Sequence, residues 1–177
     1  VFVSGDNNSI MQNTSKITIG DNSFGFVLKT NGSTLENDYT QETKLGNESV
    51  YIYSSDKTGT ITNSTPLKTT GNKNYGIYAT GNVTNLADMN LGSGIGNIGM
   101  YALSDGRIIN GELGRTSQPT ITVGKGDISK DTYSIGMVAE NPTNLGTRTI
   151  ENYGKIDVVE EGGIGMYAAG SGSTAIN

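Results

Sequence analysis

The sequence predicts an all-β fold: a parallel β-helix of about seven coils with roughly 25 residues in each coil. Three observations predict this fold. A Gly-apolar-Tyr-Ala segment recurs along the 177 residues, short strand-like segments follow its copies, and the composition suits a thin, repeated core. Because one coil cannot bury its apolar side alone, each coil must be a near copy of its neighbours.

The composition favours many short strands and turns over a compact core. Only 33% of the residues are hydrophobic, 26 are Gly, and Trp is absent. No apolar run approaches the roughly 18 residues that a membrane-spanning helix needs, so we expect no membrane-embedded part. The absence of Cys and His removes disulfides, thiol chemistry and the commonest metal ligand and general base. We therefore expect no enzyme activity, no catalytic residues, no metal and no cofactor.

The charge of the chain disfavours nucleic acid as a partner. The formal net charge is −5, and the Lys and Arg residues are scattered singly along the sequence. Binding to a phosphate backbone depends on clustered positive charge. We therefore expect no nucleic-acid partner.

The first strand of each coil is the Gly-apolar-Tyr-Ala segment itself. From Gly25 onward its copies begin 26, 25, 23, 37 and 29 residues apart, so the fifth coil is enlarged. Both ends of the chain interrupt the repeat, and we expect residues 1–177 to be a single β-helix segment of a longer array. The copies begin at Val1 (without its Gly), Gly25, Tyr51, Gly76, Gly99, Gly136 and Gly165.

Two further strands are predicted after the first one in several coils. Second strands are predicted at "TITN" (60–63), "RIIN" (107–110) and "RTIEN" (148–152), and third strands at "KITIG" (16–20), "TITVG" (120–124) and "KIDVV" (155–159). Asn63, Asn110, Asn152 and Asn177 end second strands, where we expect left-handed backbone geometry. Stacking of the coils could also join these amides into a ladder.

Alternation along the first strand predicts which side chains face the core. In the fourth coil, Ile77 and Ala79 share one face, and Gly76 and Tyr78 share the other. The second position of the segment is apolar in every copy, so we predict that it lines the core. The tyrosines then form an outward ladder, with each glycine leaving room for a ring to lie over the sheet.

The run "GIGMYAAGSGSTAIN", preceded by "SIGMVAENP" and "TRTIENYGKIDV", resembles the passenger region of large fusobacterial-type autotransporter adhesins. The resemblance is strongest from Tyr75 to Asn177. It implies a right-handed parallel β-helix at the cell surface, exported across the outer membrane by type V secretion. It also implies a role in virulence through cell adhesion, with a host-cell or bacterial surface protein or glycan as the partner.

Two sets of residues are candidates for ligand binding. Tyr78, Tyr101 and Tyr167 belong to the tyrosine ladder, which could stack on sugars or anchor a protein, or could simply cover the sheet. Arg115, Lys125 and Lys130 lie in the enlarged coil, where residues 111–131 are either a binding loop or a plain extension of the turn.

Two enzyme-like patterns have a simpler structural interpretation. "GIGNIG" (94–99) matches a dinucleotide fingerprint, but strand and turn follow it where that site needs a helix. Asp157, Glu160 and Glu161 are close together, yet one strand and its turn hold all three, which favours a solvated surface. Our prediction is an adhesin segment. The alternatives are a carbohydrate-active enzyme on the same scaffold and a spacer without a ligand.

Overall fold

A computed structural model describes all residues, 1–177, and shows a parallel β-helix of seven coils. The predicted fold class is confirmed. One turn of 3₁₀-helix, Ile128–Lys130, is the only helical segment, and no helix has the length and apolar character to cross a membrane. The twenty strands are, in chain order, β1 (Phe2–Val3), β2 (Ser9–Gln12), β3 (Thr18–Ile19), β4 (Phe24–Leu28), β5 (Thr34–Asn37), β6 (Thr43–Leu45), β7 (Val50–Ser54), β8 (Thr60–Asn63), β9 (Leu67–Thr69), β10 (Tyr75–Ala79), β11 (Asn82–Asn85), β12 (Met89–Leu91), β13 (Ile98–Ala102), β14 (Gly106–Asn110), β15 (Thr120–Val123), β16 (Ser134–Glu140), β17 (Arg148–Asn152), β18 (Lys155–Val158), β19 (Gly163–Ala169) and β20 (Ser173–Ile176).

Three parallel sheets run along the stack. Sheet 1 contains β1, β4, β7, β10, β13, β16 and β19, which are the seven copies of the Gly-apolar-Tyr-Ala segment. Sheet 2 contains β2, β5, β8, β11, β14, β17 and β20, and sheet 3 contains β3, β6, β9, β12, β15 and β18. The predicted second and third strands are confirmed. The sequence analysis missed the third strands of coils two to four, β6, β9 and β12, which contain no isoleucine or valine, unlike the predicted third strands.

The core is a narrow column of apolar side chains between the three sheets. In sheet 1, the second position of the segment stacks in register from Phe26 through Ile52, Ile77, Met100 and Met137. All five side chains are fully buried, as predicted. Equivalent residues from neighbouring coils therefore share one core.

The glycine of the segment does not face outward, so that prediction is wrong. A Cβ built on Gly76 would lie 2.5 Å from the carbonyl oxygen of Gly99 in the next coil, and 3.0 Å from the buried Leu67 side chain. Gly25 and Gly136 are in the same position relative to the coil that follows each of them. The glycine recurs because the next coil's backbone approaches it closely at an inward corner, and room for the Tyr ring is not the reason.

Tyr51 takes the place of this glycine in the third coil. Its side chain is fully buried and packs edge-to-face on Phe26, with ring centroids 5.8 Å apart. Its hydroxyl accepts a hydrogen bond from Asn37 and lies 3.4 Å from the Thr43 hydroxyl. Thr43 is smaller than Leu67, its partner in the next coil of sheet 3, so the core has room for the ring.

An asparagine ladder closes the corner after sheet 2. Each amide Nδ2 donates to the amide Oδ1 of the next coil at 2.6–2.9 Å. The predicted ladder is confirmed, and it includes two members that the sequence analysis omitted. None of its residues has left-handed geometry, so that expectation is wrong; the side chains point inward from extended strand. The members are Asn37, Asn63, Asn85, Asn110, Asn152 and Asn177.

Candidate binding surface

The outward side of sheet 1 carries two columns of apolar and aromatic residues, which together we call the aromatic surface. The first column precedes the inward glycine, and the second column is the third position of the segment. Every position in both columns is apolar or aromatic. The first column is Phe24, Val50, Tyr75, Ile98, Ile135 and Ile164, and the second is Phe2, Val27, Tyr53, Tyr78, Tyr101, Val138 and Tyr167.

The rings of coils two to five form a continuous cluster. Tyr78 is at its centre, with ring centroids 6.1 Å from Tyr53, 4.9 Å from Tyr75 and 5.0 Å from Tyr101. Phe24 extends the cluster by an edge-to-face contact with Tyr53 at 6.1 Å. Tilted and edge-on contacts of this kind are favourable for aromatic pairs. The rings therefore support one another and hold a fixed outward face.

The hydroxyls of Tyr75, Tyr78 and Tyr101 in this cluster stay protonated over a wide pH range, because the pKa of each is raised. Burial against neighbouring rings raises the pKa of Tyr101 well above its ordinary value, and the nearby Glu140 carboxylate raises it further. The Tyr101 hydroxyl donates a hydrogen bond to Glu140 Oε2 at 3.1 Å. Burial also raises the pKa of Tyr75 and Tyr78. The cluster is thus an uncharged surface that can still offer hydroxyl groups.

One end of the aromatic surface is open to solvent. Phe2 is 64% exposed and Phe24 is 57% exposed. Together with Val27, Lys29 and Tyr53 they line a shallow groove of about 440 Å³. Contiguous exposed apolar patches on a protein surface commonly mark interaction sites. This surface is the best candidate for a binding site in the molecule.

The structure brings together only two of the three predicted tyrosines. Tyr78 and Tyr101 are neighbours in the ring cluster. Tyr167 is two coils beyond Tyr101 in the same column, and the buried Val138 separates the two rings. The sequence analysis missed Phe24 and Tyr75 because they precede the repeated segment. Phe24 pairs in register with Val50, and Tyr75 pairs in register with Ile98. These pairings identify the first column of the aromatic surface.

The three basic candidates do not form one site. Arg115 is exposed in the loop between β14 and β15, at the corner between sheets 2 and 3. Lys125 and Lys130 are exposed in the loop between β15 and β16, at the corner between sheets 3 and 1. Lys130 is paired with Asp127 at 2.9 Å. Residues 111–131 are therefore two loops separated by the in-register strand β15.

The acidic residues considered for catalysis do not converge on a common point. Asp157 pairs with Lys155 on the same strand at 2.6 Å, whereas Glu160 and Glu161 are exposed in the turn after it. A further exposed carboxylate, that of Asp105, pairs with Lys57 at 2.8 Å. No group of three or more acidic side chains is close enough to hold a metal ion.

A compact charged cluster on sheet 2 was not found by sequence reasoning. Arg107 binds Glu151 through two hydrogen bonds of 2.7 Å, and the Tyr153 hydroxyl donates to the same carboxylate at 3.1 Å. Arg107 and Glu151 are on strands of neighbouring coils, 44 residues apart in sequence. Only the pairing register could have revealed this contact.

The "GIGNIG" segment lies in a turn and the start of β13. Gly94 and Gly96 have positive φ angles of 90° and 73°, as tight turns require. No helix follows the segment. A dinucleotide site of the strand–turn–helix kind is therefore absent at this position.

Comparison with known proteins gives one family. The sequence model for the family described as the BigA third pectate lyase-like domain matches residues 2–177 of the chain. No curated protein and no solved structure matches it.

Proposed function

Because the chain belongs to the family of BigA third pectate lyase-like domains, we propose that it is a non-enzymatic β-helix segment of a bacterial cell-surface adhesin. Membership of this family indicates a bacterial surface protein with a β-helix domain. In the proposed role the chain is a rigid stalk that displays the aromatic surface to a host-cell or bacterial protein or glycan. Export across the outer membrane as an autotransporter passenger is part of the same proposal.

One observation carries the proposal: apolar and aromatic residues line the outward side of sheet 1 along the whole stack. A sheet face exposed to water normally carries polar side chains, and this one has apolar or aromatic residues in both columns. Aromatic side chains supply large contact area at low entropic cost in protein recognition, and they also stack on sugar rings. The asparagine ladder at the corner after sheet 2 links the coils and supports a rigid display.

Adhesion of beads coated with the chain tests the proposal. We expect binding to host or bacterial cells, and a loss of about tenfold in bound beads for Tyr78→Ser combined with Tyr101→Ser, since central aromatic residues dominate interfaces. The matched control is Thr84→Ala on the outward face of sheet 2, in the same coil as Tyr78. Equal binding by the wild type, the double tyrosine variant and the Thr84→Ala control would show that the aromatic surface does not contribute to adhesion. No binding by any of them would favour a spacer.

The two loops of residues 111–131 need a separate test. Arg115, Lys125 and Lys130 are exposed and could attract an acidic partner. Replacing all three by Ser should reduce cell binding only if these loops contribute to it. A reduction that disappears at high salt would show an electrostatic role for the loops.

A carbohydrate-active enzyme is the second candidate, and the pectate lyase-like description of the family favours it. Incubation with pectate and other acidic polysaccharides, followed by chromatography of the products, tests it directly. Turnover that is lost in Asp157→Asn or Glu160→Gln would support the enzyme. Turnover unchanged in both variants would assign it to a contaminant or to another site.

A further inference from the structure

We infer that the aromatic surface binds a second copy of this chain, with the two β-helices side by side and antiparallel. The inference rests on the proposed binding role of that surface and names its partner. In this arrangement a two-fold axis runs along the strand direction through the fourth coil. Each coil of one protomer then faces the coil of the other protomer that lies equally far from the fourth coil, on its opposite side.

The residues of the second column are arranged symmetrically about the fourth coil, where the two-fold axis lies. Tyr78 of the fourth coil is the centre of the column, Tyr53 and Tyr101 flank it, and Val27 and Val138 come next. Reversing the direction of the column therefore leaves this five-residue pattern unchanged. Around a two-fold axis, residue i of one protomer faces residue j of the other and residue j faces residue i, so Tyr78 faces its own copy and Tyr53 faces Tyr101.

The charges beside the aromatic surface have matching positions. Lys29 and Glu140 each follow the last inward residue of their sheet 1 strand, Leu28 and Ala139. Lys29 is in the second coil and Glu140 is in the sixth, so both are two coils from the centre. Neither forms an ion pair within the chain. The two-fold axis brings each lysine opposite the glutamate of the other protomer, which gives two intermolecular ion pairs.

The size of the surface is sufficient for a weak dimer. Seven strands about 4.8 Å apart and about five residues long give a face of roughly 30 Å by 17 Å. Two such faces amount to about 1,000 Å², the lower limit for a specific interface. We therefore expect a dissociation constant of about micromolar order.

A parallel dimer is less consistent with the charges. Parallel packing would place Lys29 towards Asp21 and Glu140 towards Lys130 at the opposite edge of the sheet. The carboxylate of Asp21 already accepts hydrogen bonds from the backbone and side-chain N–H groups of Asn47. Lys130 is already paired with Asp127. The antiparallel arrangement forms both of its intermolecular pairs without competing with an ion pair of the chain, whereas the parallel one needs Lys130, which Asp127 already holds.

Charge reversal tests the inference by sedimentation equilibrium of the whole chain. The wild type should dimerise, and Lys29→Glu or Glu140→Lys alone should weaken the dimer by about tenfold or more, because each creates two like-charge contacts. The double variant should return to within about threefold of the wild-type dissociation constant. Circular dichroism of each variant checks that the β-helix is retained. Tyr78→Glu, at the axis, should abolish dimers.

Each other outcome contradicts the inference. A wild-type chain that stays monomeric at about 100 μM, well above the expected constant, would overturn it. A double variant weaker than either single variant would show the parallel arrangement instead. A monomer whose bead adhesion still depends on Tyr78 and Tyr101 would overturn the self-association and leave the proposed function standing. Dimers that persist in Tyr78→Glu would place the contact elsewhere.

Discussion

The side-chain amide of Asn63 donates a hydrogen bond to the side-chain oxygen of Asn85, one coil further along the stack, at 2.8 Å. Asn63 Nδ2 also donates to the backbone oxygen of Thr65 at 3.0 Å, and both asparagines are fully buried. The ladder amides thus join each coil to its neighbour, and those of Asn63, Asn85 and Asn152 also satisfy a backbone oxygen where the chain turns from sheet 2 to sheet 3. The polar corner holds the coils in register.

Asn85→Ala should destabilise the protein. The substitution removes the acceptor of the Asn63 amide and the donor to Asn110, and leaves the backbone oxygen of Ala87 without its 2.7 Å hydrogen bond. Because these groups are buried, we expect a loss of about 2–3 kcal/mol in the free energy of unfolding. Urea denaturation measures it. Thr84→Ala, on the adjacent outward position, is the control, and equal stability of the two variants would contradict the structural role of the ladder.

Tyr51 and Thr43 should show energetic coupling. Tyr51→Gly restores the residue type of the other coils but empties the space of a buried ring, at a cost of about 3–5 kcal/mol. Thr43→Leu alone should also destabilise, because the ring already fills that space. The double variant should be more stable than the sum of the two effects predicts. A double-mutant cycle from urea denaturation measures the coupling, and strict additivity would show that the two sites are independent.

The inward glycines should not tolerate a methyl group. In Gly76→Ala the new Cβ meets the Gly99 carbonyl oxygen at 2.5 Å, so the coils must separate locally. We expect a loss of about 1–3 kcal/mol, as for other overpacked sites. Gly20→Ala is the matched control, since no atom lies within 4 Å of its Cβ. Thermal unfolding should therefore place Gly76→Ala below Gly20→Ala, and the reverse order would contradict the close approach of the coils.

Asp56 should make stability depend on acidic pH. Its carboxylate is fully buried, which by itself would raise the pKa, but N–H groups of Ser33, Thr58 and Gly32 and the Thr58 hydroxyl outweigh burial and lower it. A lowered pKa in the folded state stabilises the protein above the unfolded value of about 3.9, and this contribution is lost as the pH falls through the folded value.

Urea denaturation between pH 2 and 7 checks this prediction. Asp56→Asn should be less stable than the wild type at neutral pH, because the buried N–H of Ser33 and the partly buried N–H of Gly32 lose a charged acceptor. The difference between the two proteins should shrink below about pH 4. A difference that is constant across the range would show that ionisation of Asp56 contributes nothing to stability.

Local spacing was enough to predict the coils. The seven first strands could be aligned because each coil repeats the same residues at the same place, and stacking requires that repetition. The asparagine at the end of the second strand followed from the same alignment. Asn37 and Asn85 were omitted; their strands, "TLEN" and "NVTN", lack the isoleucine that comes shortly before the asparagine in the other four copies.

The orientation of the glycine could not be predicted from alternation. Period-2 alternation assumes a straight strand, and the chain turns at Gly76 so that this residue and Ile77 both face inward. The aromatic surface was incomplete for the same reason. Tyr75 precedes the turn and faces outward beside Tyr78, although the two are three positions apart and a straight strand would put them on opposite sides.

The sequence by itself determined the period, the number of coils and the second-position residues of the segment that line the core, because each of these depends on one coil being a copy of the next. Only the tertiary structure decided which side chains meet across coils. The exchange of glycine for Tyr51 depends on the space that Thr43 leaves, and the pairing of Arg107 with Glu151 depends on the register of two strands 44 residues apart. Such contacts are properties of the stack, since they form only after the backbone of one coil has fixed the position of the next.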